Sequence, residues 1–96
     1  MTYKLAFNES ALKEWKKLGH TIQEQFKKKL RERLENPRVP ASQLHGRKDQ
    51  YKIKLRGAGY RLVYSVEDEI ITVTVIGVGK VDSLDVYKVQ SSQNLL

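Results

Sequence analysis

The sequence predicts a small α+β domain: an N-terminal strand, a helical hairpin, a three-stranded antiparallel meander and a short C-terminal helix. Three observations predict it. Apolar residues recur at helical spacing between Ala11 and Leu34, the period changes to two from Tyr51 onward, and turn signals at Gly57-Ala58-Gly59 and Glu67-Asp68-Glu69 divide the second half. The 96 residues suffice for one domain, 1–96, with a thin core. A functional site is therefore expected on the surface or in a shallow groove.

The elements follow in order. Tyr3, Leu5 and Phe7 alternate with Lys4 and Ala6, as in a short edge strand. Asn8 is an N-cap for a helix whose apolar positions are Ala11, Leu12, Trp15 and Leu18, with Gly19 as its stop. Thr21 and Glu24 have capping-box spacing for a second helix, striped by Ile22, Phe26, Leu30 and Leu34 and ended at Asn36-Pro37. Arg38 to Gln50 lacks periodicity and reads as a surface loop anchored by Leu44. Tyr51, Ile53 and Leu55 then face one way while Lys52, Lys54 and Arg56 face the other. Tyr60 to Val66 alternates again, and Ile70 to Val78 is nearly all β-branched, as in a strand covered on both faces. Asp82 to Gln90 reads as a short helix contributing Leu84, Val86 and Tyr87, and Ser91 to Leu96 as a fraying tail.

Composition narrows the function. There is no cysteine, which removes disulfides, thiol catalysis and cysteine-held zinc. No apolar run approaches the roughly 18 residues that span a membrane. The first residues lack the long apolar stretch of a signal peptide, so a soluble cytoplasmic protein is expected. The formal charge of +7 points to a polyanionic partner, against the plainer reading of basic faces that merely aid solubility.

Placement of the basic residues carries more than their number. Lys52, Lys54 and Arg56 form a row spaced about 7 Å apart on one strand face, with no acid in the strand to relieve their repulsion. Folding gives no reason for such a row, whereas phosphate oxygens would neutralise it. A second cluster, Lys27, Lys28, Lys29, Arg31 and Arg33 with Lys13, Lys16 and Lys17, suits docking on a nucleic-acid body or is simply a solvated helix face. Lysine, arginine and tyrosine suit RNA cleavage. The ribose 2′-OH is the nucleophile, so the protein need only orient it, stabilise charge and move two protons. His20, at the interhelix turn, reads as a solvent residue; His45, in the loop before the basic strand, reads as an RNA contact. Two histidines and no carboxylate cluster give no metal site, and no cofactor is expected. Gly77-Val78-Gly79-Lys80 lacks the spacing of a phosphate-binding loop.

These residues resemble the RelE family of bacterial toxins, within the wider RelE/ParE group. The resemblance runs from about Tyr3 to Tyr87 and is carried by Ala11-Leu12-Lys13-Glu14-Trp15, Tyr51-Lys52-Ile53-Lys54-Leu55-Arg56, Gly59-Tyr60-Arg61-Leu62-Val63-Tyr64, Val78-Gly79-Lys80 and Val86-Tyr87. It implies a RelE-like fold and mRNA cleavage in the A site of the 70S ribosome. It also implies neutralisation by a cognate RelB-like antitoxin, and operator DNA bound only through the toxin–antitoxin complex. By position, Lys52 and Lys54 match active-site lysines that stabilise the transition state and abstract a proton. Arg61 matches an arginine that stabilises phosphate, and Tyr87 a tyrosine that stacks on or orients the substrate. Arg56, His45 and Lys80 are assigned to RNA, and Lys27, Lys28 and Lys29 to ribosomal docking. One position departs: Val81 stands where the resemblance implies an arginine at the leaving 5′-oxygen, and Ser83 stands where a second basic residue is common. Two other readings therefore stand beside the nuclease. One is a catalytically weakened homologue acting through antitoxin and operator. The other is a ParE-like gyrase inhibitor, against which the lysine row counts.

Overall fold

Leu5 and Phe7, alternating with Lys4 and Ala6, form strand β1 (Lys4–Phe7), and Asn8 turns the chain into helix α1 (Glu9–Lys16). The Asn8 side chain accepts from the Ala11 amide at 2.8 Å, the predicted N-cap. The computed structural model describes residues 2–81. The predicted C-terminal helix (82–90) and tail (91–96), with Tyr87 and Ser83, lie outside the described residues.

Helix α2 (His20–Glu35) buries Phe26 and Leu30, with Ile22 and Leu34 packed beside them, so the predicted stripe is the core-facing one. Its start differs from expectation. Gly19 is the N-cap of α2 rather than the stop of α1, which closes on Lys17 in right-handed geometry. Thr21 sits inside the first turn and Glu24 pairs with Lys27 at 3.1 Å, so no capping box forms. The hairpin is instead tied by the Gln23 side chain, whose Nε2 donates to the Trp15 carbonyl at 2.9 Å.

The second half forms strands β2 (Gln50–Leu55), β3 (Tyr60–Glu67) and β4 (Thr72–Lys80). They make the predicted meander, and β1 completes the sheet by pairing parallel to β4, giving the order β1-β4-β3-β2. The third strand begins at Thr72, not Ile70. Asp68–Ile70 make a 3₁₀ turn, and Ile71 adopts a left-handed φ of 49° that strand geometry does not allow. β4 is apolar because it is hydrogen-bonded on both sides and buries Val73 and Val75 against the helices. On its other face Thr74, Gly77 and Gly79 are half-exposed, so the expected cover on both faces is not found.

The core lies between helices and sheet: Phe26, Leu30, Tyr51, Ile53, Leu55, Leu62, Tyr64, Val66, Val73 and Val75. Trp15 bridges Phe7 (5.3 Å) and Phe26 (6.2 Å). The loop after α2 is held by polar bonds rather than by Leu44, which is only half-buried. Arg38 donates to Tyr51, Asp49 and Asp68, at 3.3, 3.0 and 2.7 Å. The Tyr64 hydroxyl donates to the Pro37 carbonyl at 2.6 Å.

Candidate nucleic-acid interface

Strand alternation separates β2 into two sides. Tyr51, Ile53 and Leu55 are buried under the helices, so Lys52 and Lys54 stand on the opposite, open face. The antiparallel register sets Lys54 directly across from Arg61, and Lys52 across from Val63. Arg61 in turn lies across from Gly79, and Val63 from Gly77. Cross-strand partners share a face, so the structure brings Lys52, Lys54 and Arg61 together on one open surface floored by glycine backbone. Lys54 and Arg61, seven positions apart in sequence, become neighbours through the Gly57–Gly59 turn, closed by the Gly59 amide on the Leu55 carbonyl at 2.8 Å. Gly59 takes a φ of 73°, a conformation natural to glycine.

Arg56 does not continue the row as a strand residue. β2 ends at Leu55 and Arg56 begins the turn. It still borders the same region, since Arg56 and Lys54 line a cavity of about 400 Å³ with Leu55, Gly59, Tyr60 and Val81. Val81 is held there by its amide, which donates to the Gly59 carbonyl at 2.8 Å just past the end of β4. Lys80 pairs in register with Tyr60, on the side of Leu55 and away from Arg61, and its ammonium lies 6.0 Å from the Tyr60 ring centre. Of that pair, only position 81 alternates back toward Arg61.

The remaining candidates lie elsewhere. Lys27, Lys28 and Lys29 are exposed on α2, which covers the face opposite to Lys52 and Lys54, so the two basic patches are separate. His45 is exposed in the turn closed by the Arg47 amide on the Leu44 carbonyl at 3.0 Å, and His20 is exposed at the start of α2; they do not share an element. Tyr87 lies outside the described residues. Among the described residues no three His, Cys, Asp or Glu side chains come together as metal ligands.

Behind the lysine face runs a polar chain that sequence reasoning missed. Arg33 donates to the Lys52 main-chain carbonyl (3.2 Å), the Tyr64 hydroxyl (2.9 Å) and Ser42 (3.1 Å). Tyr64 stacks on Tyr51 at 5.6 Å, and Arg38 joins Tyr51 to Asp49 and Asp68. Tyr3 donates to Asp68 at 2.7 Å. These bonds shift the acids and bases in it. The Tyr3 hydroxyl, and then Arg38, hold the Asp68 carboxyl below the usual carboxylate range. Asp68, and then Tyr51, keep Arg38 more firmly protonated than usual. Burial raises the Tyr64 hydroxyl, with Arg33 opposing. A signal for Arg33 was present: it lies three residues after Leu30, within the apolar stripe, where a cation needs a buried partner.

A basic, open sheet face backed by a helical hairpin defines a class of protein, and comparison agrees. The family model described as the ParE toxin of the type II toxin–antitoxin system parDE matches residues 5–83. The chain belongs to the RelE family of type II toxins, within the RelE/ParE group. It is 60% identical over 87 residues to the mRNA interferase toxin RelE of Escherichia coli, covering 91% of this chain and 92% of that protein. The crystal structure of the isolated E. coli RelE toxin superposes with a TM-score of 0.82 at 55% identity, covering 98% of this chain and 99% of that one. In the intact E. coli RelBE toxin–antitoxin complex the matching chain gives 0.81 at 60% identity, covering 84% and 99%.

Proposed function

We propose that this chain is a ribosome-dependent endoribonuclease toxin that cleaves mRNA in the ribosomal A site without a metal or cofactor, and that a RelB-like antitoxin neutralises it. The observation that carries the reading is the convergence of Lys52, Lys54 and Arg61 on one open face. The similarity to RelE, and the RelBE complex of that relative, support the activity and the partner. The protein acts in the cytoplasm, and operator DNA is met only through the antitoxin complex. No helix among the described residues is long and apolar enough to cross a membrane.

The chemistry needs only what this face offers. The ribose 2′-oxygen attacks the adjacent phosphorus, the O2′–P bond forms and the P–O5′ bond breaks. The product ends are a 2′,3′-cyclic phosphate and a 5′-hydroxyl. One of Lys52 and Lys54, as the free amine, takes the 2′-proton, the leaving 5′-oxygen takes a proton from water, and Arg61 with the other lysine stabilises charge on the phosphoryl oxygens. Tyr87 orients the base, Arg56 and His45 hold flanking phosphates, and Lys27, Lys28 and Lys29 dock on ribosomal RNA from the helical side. Lys80, on the other sheet face, contributes only at the sheet end.

Val81 favours a second reading. A valine beside Lys54 and Arg56 gives the leaving oxygen neither proton nor charge, so the chain cleaves slowly and acts largely through antitoxin binding and operator repression. Toeprinting of a translated message separates the readings. New cuts within A-site codons, persisting in chelator at magnesium levels that keep ribosomes intact, support the nuclease. Intact message on ribosomes that bind the chain supports the second reading. Intact message with inhibited gyrase would make the chain a ParE-like inhibitor and sink both.

A further inference from the structure

We propose that Arg33 is a positioning residue for the cleavage centre, clamping the open edge of β2 so that Lys52 and Lys54 keep their alignment; this rests on the nuclease reading above. β2 is the edge strand of the sheet, paired to β3 on one side and meeting, among the described residues, only a single antiparallel bridge, Gln43 to Tyr51, on the other. Its outward carbonyls need partners, and they come from outside the sheet. The Gln50 carbonyl accepts from the Leu44 amide at 2.9 Å. Two residues on, the Lys52 carbonyl points to the same edge and accepts from Arg33 Nη1 at 3.2 Å.

The clamp is a fork. Nη1 also meets the Tyr64 hydroxyl at 2.9 Å, and Nη2 meets Ser42 Oγ in the 3₁₀ turn Pro40–Ser42 at 3.1 Å. The guanidinium carbon lies 5.8 Å from the Tyr64 ring centre. One side chain from α2 thus joins three structures: the strand carrying both lysines, the aromatic pair beneath it, and the loop leading into it. These three acceptors are neutral, so none of these bonds pairs the guanidinium charge with a carboxylate. An edge strand without such a tie is free to fray, and small misplacements of reacting groups are expensive in rate. A planar fork with several donors meets three acceptors at once; an ammonium on a flexible stem does not.

The test compares Arg33→Met and Arg33→Lys with the parent, each also on a Val81→Arg background so that slow chemistry does not hide the effect. Single-turnover cleavage is measured on programmed ribosomes, well below each variant's melting temperature, as rate at saturation and half-saturating concentration. The rate is expected to fall on the order of tenfold in both variants, with half-saturation within about twofold. A folded Arg33→Met protein cleaving at the parental rate overturns the proposal. Full recovery in Arg33→Lys also overturns it, because charge alone would then account for Arg33. Should Arg33→Met melt below the assay temperature, Arg33→Lys alone decides. If neither background cleaves, the nuclease reading falls and takes this proposal with it.

Discussion

Replacing Lys52 and Lys54 together by alanine should separate folding from function. Among the described residues neither ammonium takes a hydrogen-bond or ion-pair partner, and the one bond made at Lys52 uses its main-chain carbonyl, which alanine retains. Two ammonium groups about 7 Å apart repel by about 0.6 kcal/mol in water, before salt screening. Losing that repulsion offsets the loss of the half-buried Lys52 stem, so the net change in stability should stay within about 0.5 kcal/mol. The effect on cleavage is of another size. Loss of a preorganised charge contact costs about 10²–10³ in rate and loss of a proton-transfer group about 10²–10⁴. The double variant should therefore cleave at least about 10³-fold more slowly and lose toxicity. Urea melts give the first quantity and toeprinting with growth assays the second. A variant that melts like the parent and still cleaves would falsify the assignment of the lysine face.

Four further outcomes are expected. Val81→Arg should raise single-turnover cleavage by about 10²-fold or more with little change in ribosome affinity; an unchanged rate means another group already serves the leaving oxygen. Changing Lys27, Lys28 and Lys29 to alanine should weaken ribosome binding and reduce its salt slope by about 0.7–0.9 per lost phosphate contact, less for Lys27, which already pairs with Glu24. Salt-independent binding that survives the triple change removes the docking role. Tyr64→Phe keeps the Tyr51 stack but leaves the buried Pro37 carbonyl without its donor, at about 1–3 kcal/mol, or about 4 °C or more in Tm; an unaltered Tm refutes it. Asp68, whose folded pKa is depressed, stabilises the fold above the unfolded carboxylate value of about 4, and that stabilisation is lost as pH falls through the folded value. Urea midpoints of the parent and Asp68→Asn should therefore differ at neutral pH and converge in acid, and a constant gap would show that the carboxylate is not the cause.

Periodicity was enough for the helices, the meander and the row of lysines, because each depends on residues two to four positions apart. Phe26 and Leu30 had to face a core, and the alternation of Tyr51, Ile53 and Leu55 left Lys52 and Lys54 outside wherever the strand lay. Local signals failed where two elements compete for one short stretch. Gly19 could end one helix or begin the next, and in the folded hairpin α1 closes on Lys17 while Gly19 caps α2. Ile70 and Ile71 have strand composition, yet the turn into β4 uses them. Strand order was out of reach, since the parallel pairing of β1 with β4 joins segments more than 60 residues apart. The sequence by itself thus determined that Lys52 and Lys54 face away from the core and that the chain carries valine at position 81. Only the tertiary structure decided that Arg61 stands across from Lys54, that Lys80 turns to the other face, and that Arg33 reaches the Lys52 carbonyl. Those three depend on register and on packing between distant elements, which no local pattern encodes.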